Sequence, residues 1–296
     1  MLTLFSGVIP ALLTPFTYQD HVDTTALCDL TEYLLNSGMD GVYLCGSTGE
    51  GLLMTEEERC LVAETVIEQV GGRVPVIVHV GAPATSVSER LARHARQAGA
   101  DAVASVPPFY YAVGQTEIET HYRRIAQAAG IPLYLYNIPS ATQVSLEARL
   151  ICDLVRDGVA RGLKYTSYDQ LNFREILESC GEEINVFAGP DEMLLPFLLM
   201  GAHGGIGTTY NLMPELFVDL YAAWAAGELP RAQQAQYKID RAILVIRKYG
   251  VVPAVKAAMR LRGIDCGNPR APLLPLSAEQ VERLACELEG VGLYGI

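Results

Sequence analysis

The chain has 296 residues, half of them apolar, enough to bury a large core in one catalytic domain with a short extension. Its formal net charge of -12 argues against nucleic acid or an anionic membrane surface as partner, because both need a positive field to attract them. No apolar run approaches the roughly 20 residues of a membrane helix, and Met1 to Phe16 carries no basic segment ahead of its apolar residues, so a cytoplasmic protein is expected.

Short aliphatic or β-branched runs alternate with longer helical patterns up to about Asn211, as they do when parallel strands are joined by helices. The eight predicted strands are Val8–Leu13, Val42–Cys45, Val74–Val80, Ala102–Val106, Leu133–Asn137, Val159–Lys164, Asn185–Ala188 and Gly204–Gly207. Between the first two, Leu27, Leu30 and Leu34 share a helix face that Gly38 should end. After the second, Thr55-x-x-Glu58 reads as a capping box and Gly71-Gly72 as the stop.

A helix stop recurs at Gly38, Gly99 and Gly201, 61 and 102 residues apart, close to two and three units at about 31 residues per unit of an eightfold barrel. The expected fold is therefore a (β/α)8 TIM barrel over residues 1–226, with an open doubly wound sheet as the alternative. Beyond it, Leu229–Tyr249, Val251–Arg262 and Ser277–Glu289 predict a C-terminal appendage of three helices over 227–296.

Seven cysteines, at 28, 45, 60, 152, 180, 266 and 286, form no C-x-x-C pair and no cluster with histidine. Reduced, packed thiols are the expectation. The five histidines make no i, i+4 pair, so no metal is expected.

Barrel chemistry gathers where strands end. Strand 2 runs into Gly46-Ser47-Thr48-Gly49-Glu50-Gly51, whose glycines free backbone N–H groups and whose hydroxyls suit a carboxylate. It lacks the Gly-Lys-Ser/Thr ending of a nucleotide loop, and a plain βα turn is the blander alternative. Strand 4 leads into Pro107-Pro108-Phe109-Tyr110-Tyr111, a stiff aromatic loop. On strand 5, Tyr134 and Tyr136 fall on one face, and Tyr136 would be the one nearer the mouth if that face lines the barrel.

Strand 6 ends on Lys164, the sole lysine of the barrel; the other three, Lys238, Lys248 and Lys256, fall on the C-terminal helices. An ammonium at an apolar mouth is expensive to desolvate, which favours the neutral amine that Schiff-base chemistry requires. Pairing with a carboxylate, or snorkelling to water, is the competing role. Strand 7 ends in Gly189-Pro190-Asp191-Glu192, either helix-capping acids or binders of substrate hydroxyls. Strand 8 gives Gly204-Gly205-Ile206-Gly207-Thr208-Thr209, a turn that could cradle a phosphate.

Taken together, Gly46-Ser47-Thr48-Gly49-Glu50, Tyr136-Asn137-Ile138-Pro139 and Gly162-Leu163-Lys164 resemble the dihydrodipicolinate synthase and N-acetylneuraminate lyase family of pyruvate-dependent aldolases, over essentially the whole chain. The resemblance implies a Schiff base between Lys164 and pyruvate, with no cofactor. It implies that Tyr136 is the acid/base, that Ser47, Thr48 and Gly49 form the carboxylate turn, and that Tyr110 reaches into a neighbouring subunit of a homotetramer.

Synthases of this family usually carry an arginine where Ala141 stands. Lys164-Tyr165-Thr166-Ser167, Gly189-x-Asp191-Glu192 and the Gly205–Asn211 segment look instead like the sialic acid lyases, implying a sugar-acid tail at Thr166, Gly189, Asp191, Glu192, Ile206 and Thr208. Thr208 replaces their usual serine, and Val252-Pro253 an aromatic-containing segment. Small-molecule partners follow: pyruvate with an aldehyde, or a 2-keto-3-deoxy sugar acid. The synthase, a 2-keto-3-deoxygluconate type aldolase, a catalytically silent sugar-acid binder and a phosphate-binding barrel enzyme are the alternatives.

Overall fold

The computed structural model describes residues 5–293. In chain order the elements are β1 Gly7–Pro10, α1 Thr24–Asn36, β2 Val42–Leu44, α2 Glu56–Val70, β3 Val76–His79, α3 Thr85–Ala98, β4 Ala102–Ser105 and α4 Gln115–Ala129. They continue with β5 Leu133–Asn137, the short α5 Pro139–Thr142, α6 Ala148–Arg156, β6 Gly162–Tyr165, α7 Gln170–Cys180, β7 Asn185–Ala188, α8 Leu194–Leu199, β8 Gly204–Gly207 and α9 Pro214–Ala225. Helices α10 Leu229–Ile246, α11 Val251–Met259 and α12 Ala278–Gly290 follow the barrel.

All strand pairs are parallel, in the order β1-β8-β7-β6-β5-β4-β3-β2. The seam between β1 and β2 is drawn shut by a parallel bridge from Ala11 to Tyr43 and by the Leu12 amide donating to the Tyr43 carbonyl at 2.9 Å. This is the TIM barrel expected from the repeat, and the open-sheet alternative falls away.

Strand alternation divides the apolar residues between two cores. Outward-facing Val42, Leu44, Val103, Leu133, Leu135, Leu163 and Val186 pack under the helices. Inward-facing Ile9, Tyr43, Ile77, Ala102, Ala104, Tyr134, Tyr136, Phe187 and Ile206 fill the barrel. Large and small residues must interlock there: a Cβ at Gly162 would lie 2.1 Å from the Tyr134 ring, so β6 admits Tyr134 only because that position is glycine. Tyr134 donates to Asn185 Oδ1 at 2.6 Å and stacks on Phe5, at the barrel's N-terminal end.

The local signals act as the residues suggest. Thr55 and Glu58 form both halves of the capping box of α2, and Gly71 ends that helix with a left-handed φ of 57°. Several predicted strand limits move inward. Val159 and Ala160 do not extend β6, because both their amides bond back to the Leu154 carbonyl and wrap the end of α6. The last predicted turn of α10 tightens into a 3-10 turn over Arg247–Tyr249.

One expectation is overturned. Cys152 on α6 and Cys180 at the end of α7 form a disulfide, with Cα atoms 5.2 Å apart. Their separation of 28 residues matches no short motif; neighbouring barrel helices bring them together. Cys28, Cys45, Cys60, Cys266 and Cys286 are free thiols. No helix among the described residues is long and apolar enough to cross a membrane.

Candidate active site

Parallel register places Tyr136 of β5 beside Lys164 of β6, and Lys164 beside Phe187 of β7. Lys164 faces the barrel interior at 4% exposure. Its Nζ lies 4.4 Å from the centroid of the Tyr136 ring and 4.5 Å from that of Tyr43. The amine is therefore neither turned out to solvent nor paired with a carboxylate among the described residues; two aromatic faces hold it. Tyr136 is in turn walled edge-on by Tyr43, at 6.1 Å between centroids, and by His79, at 5.9 Å.

His79 is a fixed part of this wall. Its Nδ1 lies 3.1 Å from the Cys45 carbonyl, and the Val106 amide donates to its Nε2 at 3.4 Å. Burial, aided by the nearby Arg59 guanidinium, holds its pKa well below the usual histidine range. A neutral imidazole with Nδ1–H donating and Nε2 accepting satisfies both contacts. Arg59 of α2 supports the same corner by donating to the His79 and Gly81 carbonyls at 2.7 and 3.1 Å.

The strand 2 turn stands at the same end of the barrel. Ser47 is exposed, whereas Thr48 is buried and shares a 2.6 Å hydrogen bond with the hydroxyl of Thr208 after β8. Gly49 lies so close to the segment after β1 that an added Cβ would meet the Leu12 carbonyl at 2.9 Å, and its own carbonyl accepts from Thr14 Oγ1.

Two residues beyond Lys164 on the same face, and so one step nearer the mouth, comes Thr166. Its Oγ1 is buried with no hydrogen-bond partner. It sits over Gly189, where a Cβ would fall 1.8 Å from that oxygen. Thr166 itself lines a cavity shared with Gly189, and a buried hydroxyl left without a partner is uncommon enough to call for a functional reading.

Asp191 completes this side. Its Oδ2 accepts from the amide and hydroxyl of Thr209 at 2.7 and 2.6 Å, while its Oδ1 overhangs Gly207. Desolvation pushes its carboxyl up to about 6, against the lowering effect of the two Thr209 bonds. Helix capping is not its role, since both partners lie on the strand 8 turn. That arrangement also removes the phosphate cradle considered for this turn. A carboxylate takes the Thr209 amide, and Gly204, Gly205 and Gly207 are filled by Gly7, Tyr210 and Asp191.

Glu192 is half-buried; its Oε1 accepts from the Tyr168 hydroxyl at 2.5 Å and lies 3.6 Å from Arg247. Thr166, Gly189, Asp191, Glu192 and Thr208 all line one cavity of about 380 Å³, closed on the far side by Ile243, Ile246, Arg247 and Val251. Five of the expected tail residues thus share one pocket. Ile206 does not reach it and belongs to the barrel core.

Tyr110 lies apart, 87% exposed, edge-on to Tyr111, with a left-handed φ of 77°. Sequence reasoning overlooked Tyr43 and His79, although period-two alternation places both on inward faces. It also overlooked Tyr168 and Arg247, and took Thr209 only as part of the strand 8 turn. Arg247, from the C-terminal helices, had no local signal.

Residues 4–290 match the Dihydrodipicolinate synthetase family. The chain belongs to this family. Among its relatives, an N-acetylneuraminate lyase of Rhizobium meliloti is 38% identical, over 90% of this chain and 88% of the relative. A 4-hydroxy-tetrahydrodipicolinate synthase of Methanopyrus kandleri is 35% identical, over 97% and 96%. The solved structure of Proteus mirabilis N-acetylneuraminate lyase superposes with a TM-score of 0.93 at 29% identity, covering 98% of this chain and all of that one. Lyases and synthases of the family thus stand at similar distance, and the family assignment makes this chain an aldolase of that class.

Proposed function

We propose that the chain breaks or makes a carbon–carbon bond between pyruvate and an aldehyde through a Schiff base on Lys164, and that its substrate is N-acetylneuraminate or a close sugar acid. Lys164 attacks the keto carbon and water leaves, giving an iminium ion that drains electrons from the bond to be cleaved. Tyr136 takes the proton of the hydroxyl on the departing carbon as the aldehyde is released. The resulting enamine is protonated at the former methylene and hydrolysed, freeing pyruvate and the amine. Ser47 and Thr48, with the turn at Gly49, hold the carboxylate of the keto acid.

One observation carries the choice of substrate: a single cavity, reached from β6 through Thr166 two residues beyond Lys164, is lined by Thr166, Asp191, Glu192 and Thr208 together. Two carboxylates and hydroxyls suit a chain of hydroxyl groups, whereas a second carboxylate on the aldehyde would meet Asp191 and Glu192. Arg247, the cation of that cavity, already lies beside Glu192. Ala141 is exposed on α5 and offers no guanidinium for aspartate semialdehyde. Tyr110, turned outward, suits the role of completing a neighbour's site in a homotetramer.

The test is to incubate the protein with pyruvate, reduce with borohydride and locate the adduct by mass; no adduct on Lys164 ends the Schiff-base reading. N-acetylmannosamine, aspartate semialdehyde, arabinose and glyceraldehyde, each supplied with pyruvate, then separate the lyase from the synthase and the shorter sugar-acid aldolases.

A further inference from the structure

Lys256, on α11, is wholly buried and lies 2.5 Å from the equally buried carboxylate of Glu50. Glu50 closes the Gly46–Gly51 turn: its amide donates to the Ser47 carbonyl, and its own φ of 54° is left-handed, as is that of Cys45 at the turn's start. Such conformations are costly for residues with side chains and persist only where surrounding contacts enforce them.

Those contacts come from the C-terminal segment. One Glu50 oxygen meets Lys256, and the other accepts the Arg270 amide at 2.6 Å. Lys256 also donates to the Asn268 carbonyl and sits over the Phe16 ring. The Arg270 side chain grips Glu58 and the Asp20 backbone.

We infer that Lys256 and Glu50 are positioning residues: through their buried ion pair the C-terminal helices set the Ser47–Thr48 turn in the form that receives the substrate carboxylate. Neither touches the substrate. A buried ion pair is poor evidence for stability by itself, since an apolar pair of similar volume often serves as well; here its consequence is the fixed geometry of one turn. The inference rests on Lys164 being the amine that condenses with pyruvate, and it concerns the carboxylate alone.

The experiment compares borohydride trapping on Lys164 by pyruvate with trapping by acetone, a ketone without a carboxylate, in the unaltered protein, Lys256→Met and the nearly isosteric Glu50→Gln. Both variants are expected to need about tenfold more pyruvate for half-maximal trapping, while acetone trapping stays within about twofold, because misplacing a binding group penalises only the ligand that uses it. Unchanged pyruvate dependence overturns the inference, and so does a parallel loss for both ketones. Loss of the folded protein in both variants also overturns it, by making the pair structural. Absence of a pyruvate adduct in the unaltered protein would instead remove the Schiff-base reading itself.

Discussion

Asp191→Asn isolates what burial of one carboxyl does to this fold. In the folded chain desolvation raises the Asp191 carboxyl from 3.8 to about 6, so folding tightens its hold on the proton by about 3 kcal/mol. The favourable contribution is complete below about pH 4, where the group is protonated folded or unfolded. It is lost as the pH climbs through about 6, because the folded protein must then bury an ionised group. Asparagine keeps an acceptor for the Thr209 amide but cannot ionise.

Urea unfolding of both proteins, followed through Trp224 fluorescence from pH 4 to 8, should show the aspartate form losing about 3 kcal/mol relative to the asparagine form over that span. Curves parallel to within about 1 kcal/mol, beyond the uncertainty of extrapolation, would refute the reasoning. On the proposed role of Asp191 as acceptor for sugar hydroxyls, the same ionisation should make KM for the sugar acid fall from pH 5 to 7 in the unaltered enzyme and leave it flat in the variant.

Tyr136→Phe keeps the ring against Lys164 but removes the hydroxyl proposed as the acid/base; kcat should drop by about 10²- to 10⁴-fold while the pyruvate adduct still forms, and retained turnover would assign the proton transfer elsewhere. Gly189→Ala places a methyl on Thr166 Oγ1 and should cost about 1–3 kcal/mol in stability, with a larger rise in KM for sugar acids than for pyruvate in steady-state assays. Joining cysteines 28 residues apart, the Cys152–Cys180 disulfide should contribute about 3–4 kcal/mol through the unfolded chain. Alkylation with and without reductant, read by intact mass, tests it, and seven free thiols in the unreduced protein would exclude the bond.

The fold was legible because its evidence is local. Alternating apolar runs, the Thr55–Glu58 box and the glycine stops report on a few neighbouring residues each, and a barrel repeats them often enough to survive errors at the ends. Inward faces were equally readable, as Tyr134 and Tyr136 show, since alternation fixes one residue once the next is placed. Two kinds of information were not local. The Cys152–Cys180 bond depends on how far α6 and α7 slide past each other, and nothing in either helix encodes that. Arg247 and Lys256 looked like ordinary lysine and arginine positions on amphipathic helices, and only the path of the chain after α9 carries them to the pocket wall and the strand 2 turn.

That path bears on why Lys164 stands alone inside the barrel. A chain of net charge -12 that is proposed to bind an anionic keto acid needs its attraction to be local, yet a free cation beside Lys164 would compete for the carboxylate the turn is proposed to orient. The structure keeps the other buried cations engaged: Lys256 with Glu50, Arg270 with Glu58, and Arg59 with the His79 and Gly81 carbonyls. On the proposed reading, a ligand meets the hydroxyls and amides of the strand 2 turn, the Lys164 amine, and the carboxylates of Asp191 and Glu192. A site of that kind would orient a molecule with an acidic head and a hydroxylated tail in one direction, because reversing it would set its carboxylate against Asp191 and Glu192.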